Sequence, residues 1–398
     1  MRRLRQLARI WLIRTTYWLA CRLPLRDQVV LATMHGPRLS GNLAAVRAEI
    51  RRRPRRPRVV AAASGPRPGL AGAVRAAVAT VRGAYLLATS RVFIVDDYYF
   101  PLYVVTRRPG TLVIQTWHAS GAFKRMGHSL AEKSFGGGAD LLSRVPIHAN
   151  YDVCLVSSRA VAQHYAEAFR QPLDRFDATL GIPRTDGLFG DAARIGQRRA
   201  RARYGLRDGR TMLLYAPTFR GDSIPGARHP ELLDLVELRA ALGHDHRLLL
   251  RAHPFVRGRM ALDRQLADFV VDVSDHPDIN DLMLVSDILI TDYSSAIFEF
   301  ALLERPIVFF APDLAAYEAE RGFYFDYRTA VPGPVFETTA EVADHVRSGR
   351  FDLERVRAVA RASFDVADGH ASARLVDRLV MPSLAAGRRR RGRRTGDR

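Results

Sequence analysis

The chain has 398 residues, 47% of them hydrophobic, which is enough to bury two ordinary domain cores. Its formal charge of +20 attracts polyanions, so nucleic acid, anionic lipid and phosphorylated substrates remain as partner classes; all basic residues except Lys124 and Lys133 are arginine. Cys21 and Cys154 lie far apart, which argues against a disulfide framework or a cysteine metal cluster and for a reducing, cytosolic setting.

The first residues place Leu4, Leu7, Trp11, Trp18 and Leu19 near one helical face, flanked by Arg2, Arg3, Arg5, Arg9 and Arg14. This spacing predicts an amphipathic helix within residues 1–26 that lies in a membrane interface, where tryptophan and arginine are favoured. A terminal helix packed on the protein's own core is the other reading of the same pattern. Arg14 and Arg22 interrupt the apolar stretch and no small-residue cleavage site follows it, so neither a membrane span nor a secretory signal is expected there.

Apolar runs then recur at helix-length intervals: QVVLATM, PRVVAAA, RVFIVDD, TLVIQTWH and YDVCLVSS. The alternation predicts an α/β, doubly wound, Rossmann-like domain over residues 27–190. An arginine-rich helical stretch follows, and a second series, TMLLYAPTF, HRLLLRAHP, DFVVDVS, SDILITDY and RPIVFFAP, predicts a second such domain over residues 205–375. The tail, residues 383–398, ends in GRRRRGRRTGDR, has no apolar periodicity and reads as a disordered basic arm.

Parallel sheets bind ligands beyond the carboxyl ends of their strands, and there the chain is rich in His, Ser, Thr and Arg. The run TLVIQT leads directly into His118, followed by the small residues Ala119 and Ser120, a suitable place for a general base; a histidine in a loop is otherwise a structural hydrogen-bonding group. Arg251 and His253 stand two apart at the end of HRLLLRAHP and so share a strand face, where two positive donors suit a pyrophosphate or departing phosphate. A surface arginine followed by a strand-ending His-Pro is the plainer alternative. In SDILITDYSSAIFEF the serines Ser294 and Ser295 fall at a strand-to-helix turn with Glu299 one helical turn on, which makes an anion site plus a carboxylate for a ribose or polyol, or simply an N-cap and a helix residue. Asp96 and Asp97 are adjacent on a strand, so they point to opposite faces, and no metal site is expected of them.

Beyond these physical readings, QTWHASGAFKRMG resembles the QTWHGT-x-x-K-x-x-G segment of the CDP-glycerol glycerophosphotransferase family, the teichoic acid primases and polymerases. The run from Asp278 to Tyr327 is similar to that family's C-terminal signature, and GIPRTD, YAPTFR and RAHP follow in the family's order, so the resemblance spans roughly residues 28–370. It implies a GT-B architecture, two Rossmann-like domains facing a cleft, and transfer of glycerol phosphate from CDP-glycerol without a metal or other cofactor. It carries catalytic or phosphate-handling roles to His118 and His253. Donor contacts fall on Ala119, Ser120, Arg184, Pro217, Thr218, Arg251, Ser294, Ser295 and Glu299. Ala119-Ser120 replaces the family's usual Gly-Thr, and Glu299 stands where an Asp is common, so donor geometry or polyol choice is open to change.

The expected acceptor is a lipid-linked saccharide or growing polyol-phosphate chain on the cytoplasmic face of the cell membrane, the protein being peripheral and drawn to anionic lipid. CDP-ribitol as donor and a nucleotide-sugar glycosyltransferase are the alternatives within the same architecture. A nucleic-acid-binding protein is prompted by charge alone, and the chain shows no docking motif or interleaved aromatics for one, so no specific nucleic acid is expected.

Overall fold

The computed structural model describes residues 2–65, 69–130, 145–207, 209–221, 226–230, 233–253, 256 and 263–387. The chain forms two compact units: Met1–His118 with Ala139–Asp186 and Val366–Arg398, and Ala119–Gly138 with Gly187–Asp365.

The first unit is built on six parallel strands, β1 (Arg26–Thr33), β2 (Arg58–Ala63), β3 (Ser90–Val95), β4 (Leu112–Gln115), β5 (Val153–Leu155) and β6 (Phe176–Asp177). They lie in the order β2-β1-β3-β4-β5-β6. Strands β1 and β3 read as unbroken apolar runs because helices cover both faces of the sheet. Val29, Val30, Leu31 and all of Val92–Val95 are wholly buried. The register sets Ala32 beside Val95 and Val95 beside Gln115, so β1, β3 and β4 reach their carboxyl ends at one level.

Helix α1 (Arg2–Ala20) forms where the sequence predicts it. Ile13, Tyr17 and Ala20 are buried, whereas Leu7, Trp11, Trp18 and Leu19 are more than half exposed. Crossover helix α2 (Gly41–Arg52) buries Leu43, Val46 and Ile50 at helical spacing. Helix α3 (Gly69–Thr89) packs against α1. By length and composition α3 is apolar enough to cross a bilayer, a feature outside the sequence expectations above. It is the crossover between β2 and β3, with Leu86, Leu87 and Ala88 buried on the sheet, while Leu70, Val74 and Val78 near its start face outward.

The second unit has strands β7 (Thr211–Tyr215), β8 (His246–Leu250), β9 (Val270–Asp272), β10 (Ile288–Thr291), β11 (Ile307–Phe310) and β12 (Val335–Phe336). They too are all parallel, in the order β12-β11-β10-β7-β8-β9, around a core that includes Leu213, Leu248, Phe269, Ile290 and Val308.

All ten apolar runs thus become strands, and the two strands the sequence did not signal, β6 and β12, are two-residue edge pairings with no periodicity to read. The compact units depart from the expected stretches 27–190 and 205–375 in two places. Residues 119–130, which follow the β4 strand, pack in the second unit, and the helical stretch Ala371–Val380 returns to the first. The return is fixed by burial of Leu375, Val376, Val380 and Leu384 in the first unit's core. It is also capped: Asp186 accepts hydrogen bonds from the Ala371 and Ser372 amides, each at 2.8 Å, at the helix start where such donors lack partners. Of the basic tail, residues 388–398 lie outside the described residues.

Asp186→Ala strips both amides of their acceptor and is expected to cost about 1–3 kcal/mol. Leu375→Ala, which empties a wholly buried position, is expected to cost about 2–5 kcal/mol. Urea unfolding of the two variants checks both values, and a wild-type midpoint in either would mean that the C-terminal helix contributes little to the first unit.

Candidate active site

His118 follows β4 on a backbone held in an uncommon conformation. Trp117 adopts φ of 52°, a left-handed value that is costly for an aromatic residue and persists only where neighbours enforce it. Gln115 Oε1 accepts the Trp117 amide at 2.8 Å, and Asn42 Nδ2 donates to the carbonyls of Thr116 (3.0 Å) and Trp117 (2.9 Å). Asn42 Oδ1 in turn accepts the Arg184 amide at 2.9 Å, and the Arg184 guanidinium donates to the His118 carbonyl at 2.9 Å. Arg184, expected to contact the donor, therefore braces the His118 backbone. Asn42, on helix α2, was missed because nothing near it in the chain marks it.

The His118 ring stacks on Trp117, with centroids 4.5 Å apart. Its Nδ1 lies 3.4 Å from the Asp96 carbonyl and 3.6 Å from Asp97 Oδ1, so these contacts leave Nε2 as the nitrogen to take a proton. Desolvation, with His35 and Arg184 adding to it, pushes the imidazole down to about 4 against the opposing pull of Asp97, which favours the neutral ring although 44% of the side chain stays exposed. On the other side of Asp97, His35 Nε2 sits 2.8 Å from Oδ2. Burial raises the Asp97 carboxyl, but the hydrogen bond from His35 and the charges of both imidazoles outweigh it, for a net shift below the ordinary carboxylate range. Asp96 is pushed up to about 6, chiefly by burial. The chain neighbourhood of Asp96 and Asp97 offers no histidine, but the fold brings two.

On the second unit, the predicted donor residues form a bonded framework. Asp292, at the end of β10, accepts the Thr218 amide (2.8 Å) and the Thr218 hydroxyl (2.7 Å) on Oδ1, and Arg220 (2.9 Å) on Oδ2. Arg220 also pairs with both oxygens of Asp313, and the Tyr293 hydroxyl donates to Asp313 at 2.9 Å. Arg220 lies over the Tyr293 and Tyr317 rings and is only 7% exposed. Thr218 thus locks the YAPTFR segment to the DYSS turn, where the resemblance implies donor contact, and Pro217 beside it is buried. Arg220, Asp292 and Asp313 are absent from the expected site residues, although the arginine is written in the motif itself.

Ser294 and Ser295 are half-buried; Ser294 Oγ accepts the Ala296 amide at 3.2 Å, whereas Ser295, in the N-cap position of the helix Ala296–Ala301, makes no side-chain cap. That helix has six residues, so its dipole is short and the turn's amides and hydroxyls are what it offers an anion. Glu299 is buried, not solvated, and accepts the Ser120 hydroxyl at 2.8 Å. The carboxylate and hydroxyl expected to meet the donor separately are one pair. Ala119 is half-buried and outside the left-handed region, which falls at Trp117 instead, so an alanine there is tolerated. Gly121 cannot be replaced so freely: a Cβ would stand 2.4 Å from the Phe298 ring.

Lys124, from the same motif, reaches the Tyr317 hydroxyl at 3.3 Å, and burial, with Arg321 next, pushes its ammonium down to about 7. Arg251 and His253 are both partly exposed around the buried Ala252, but β8 ends at Leu250, so they lie in the segment after the strand rather than on a strand face as the spacing predicts. Arg251 donates to the His276 carbonyl at 3.2 Å and the His253 ring packs on Phe219, while Pro254 lies outside the described residues.

The same organisation recurs in known proteins. A model of the family described as CDP-Glycerol:Poly(glycerophosphate) glycerophosphotransferase matches residues 15–381. The teichoic acid ribitol-phosphate primase of Bacillus spizizenii is 39% identical over 363 residues, which cover 90% of this chain and 92% of that one. The teichoic acid poly(ribitol-phosphate) polymerase of the same organism is 38% identical over 75% of this chain, and the match spans just 48% of the polymerase. The solved wall teichoic acid polymerase TagF superposes with a TM-score of 0.75 at 23% identity, covering 96% of this chain and 97% of that one, which establishes the shared two-sheet, GT-B-like fold. The chain belongs to the CDP-glycerol:poly(glycerophosphate) glycerophosphotransferase family, that of the teichoic acid primases and polymerases.

Proposed function

We propose that the protein transfers a polyol phosphate from a CDP-activated polyol to a hydroxyl of a lipid-linked teichoic-acid-type acceptor and releases CMP. The acceptor oxygen attacks the phosphorus that bears the polyol, the bond from that phosphorus to the bridging oxygen breaks, and CMP leaves with the electron pair. His118 Nε2 takes the acceptor proton. Arg251 and His253 supply positive donors for the leaving phosphate, and the turn at Ser294 and Ser295 supplies amides and hydroxyls. Positioning and charge neutralisation carry such transfers. The observation that carries this reading is the placement of His118 at the carboxyl end of β4, its Nδ1 turned toward Asp96 and Asp97 and its Nε2 left for substrate.

The motifs of the sequence point to glycerol as the polyol, and the family description names it too. The two relatives at 38–39% identity are ribitol-phosphate enzymes, which favours CDP-ribitol, and the match along 92% of a primase favours addition of a first unit. CMP release from CDP-ribitol and CDP-glycerol, measured side by side with a lipid-linked acceptor, decides between them. His118→Ala is expected to lower turnover by about 10²–10⁴-fold on the preferred donor. Wild-type turnover in folded His118→Ala, or inertness toward both donors, would sink the proposal.

The membrane face is proposed on two helices. Leu7, Trp11 and Trp18 form one exposed stripe on α1, Leu70, Val74 and Val78 form another on α3, and the helices pack on each other among arginines. Their occupant is an anionic lipid surface, matched by apolar area and by charge. Trp11→Ser with Trp18→Ser should release the protein from anionic vesicles in co-sedimentation while it stays folded, and undiminished binding would refute the assignment.

Arg220→Ala, which leaves Asp292 and Asp313 without their shared cation, is expected to destabilise the second unit by about 3–5 kcal/mol. Arg220→Lys, which keeps the charge and loses the fork, should recover part of that stability. A thermal melt of the three proteins reads the order.

A further inference from the structure

His35 takes no part in the chemistry described so far, and no motif marks it. Strands β1, β3 and β4 are neighbours, with Ala32, Val95 and Gln115 on one rung. His35 lies three residues past that rung, Asp97 two and His118 three, so parallel pairing delivers all three side chains to one corner of the sheet edge. There His35 Nε2 is 2.8 Å from Asp97 Oδ2, His118 Nδ1 is 3.6 Å from Asp97 Oδ1, and the imidazole rings meet edge to face with centroids 5.0 Å apart. The Asp97 side chain is 15% exposed, whereas the imidazoles, at 37% and 44%, remain accessible to a substrate.

We propose that Asp97 and His35 are positioning residues for proton transfer by His118. The Asp96 carbonyl, 3.4 Å from Nδ1, holds the Nδ1–H tautomer of His118 and so aims Nε2 at the acceptor, while Asp97, 3.6 Å from Nδ1, orients the ring by its charge and stabilises the imidazolium formed when Nε2 takes the proton. Nδ1–H is retained throughout and Asp97 stays ionised, the arrangement that works in hydrolase triads. His35 holds the second oxygen of Asp97 and so fixes the carboxylate's direction. A protonated His35 also draws charge from Asp97 and lowers the basicity of His118, so the second imidazole tunes the first. The groups that face His118 are Asp97 and the Asp96 carbonyl after β3, His35 after β1, and Arg184 from the 3-10 helix Pro183–Leu188. Asp97 and the Asp96 carbonyl favour the imidazolium, and His35 and Arg184 oppose it.

An isolated histidine–carboxylate pair at a surface contributes little. A merely structural pair predicts loss of stability with no change in how turnover depends on pH. The shared carboxylate predicts opposite shifts from its two ends.

This inference rests on His118 as the base, so His118→Ala is run in parallel with Asp97→Asn, His35→Gln and His35→Ala in the full chain. CMP release is followed from pH 3 upward, with melting curves to confirm folding. Asp97→Asn should lower kcat by about 10–100-fold with a KM for donor within about 3-fold, and it should move the acid limb of kcat/KM to lower pH, because the group that favours the imidazolium has lost its charge. His35→Gln keeps a donor to Asp97 without the cation; it should lower kcat by no more than about 10-fold and move the acid limb to higher pH. His35→Ala should show the same direction with a larger loss. If His118→Ala is inactive while the folded Asp97 and His35 variants keep wild-type kcat and an unmoved acid limb, the positioning roles are overturned and the function stands. If His118→Ala is fully active, the function itself falls. A need for an added divalent cation that His35→Gln abolishes would also overturn the proposal, since the three groups would then serve an ion.

Discussion

Everything chemical in the first unit follows from strand register. Parallel strands run in one direction, so their carboxyl ends finish on one edge, and hydrogen bonding between neighbours fixes how far each extends. With Ala32, Val95 and Gln115 held on one rung, the residues that leave the sheet next are obliged to meet. Side chains separated by some sixty and twenty positions in the chain then share a carboxylate. A slip of one residue in β3 would turn Asp97 away, because successive side chains point to opposite faces.

The second unit solves a related problem with charge. The DYSS turn must present its serines and amides in a fixed direction, and turns do not hold themselves. Asp292 ties it down by accepting from both ends of Thr218 and from Arg220. Arg220 carries the tie onward to Asp313 through a second face of the same planar fork, which lysine cannot reproduce. Such a buried cluster is costly to desolvate, and its members compensate one another only when all are present. The buried rings of Tyr293, Tyr317 and Tyr327 around it exclude water from those bonds, with Tyr293 and Tyr317 stacked at 3.9 Å.

The sequence showed the strands well because both faces of each sheet are covered, so buried strands are written as plain apolar runs. Strand ends were legible to within a few residues: His118 lies just past β4, and Arg251 and His253 lie just past β8 rather than on its face. What stayed hidden depends on pairing between distant elements. Asn42 sits mid-chain on a helix with no motif, His35 follows a strand that carries no chemistry of its own, and β6 and β12 are too short for any period. Ser120, Thr218 and Glu299 were found as important, but their partners within the protein were not legible, because a motif records that a residue is needed and says nothing of which other side chain its hydroxyl or carboxylate meets. The family resemblance named the reaction class, which composition and spacing did not.

A proton acceptor on this fold has to be neutral and yet able to bear a charge for a moment. Desolvation favours the neutral form of His118, pressing it down to about 4, and opposes the imidazolium although 44% of the side chain stays exposed. Asp97 resolves the conflict by offering negative charge at Nδ1, and its own ionisation is in turn secured by His35, without which burial would push its proton affinity upward. The chain of dependence runs from a base that needs an anion to an anion held by a second imidazole. That imidazole stands just past the end of the neighbouring strand β1, where parallel pairing leaves it.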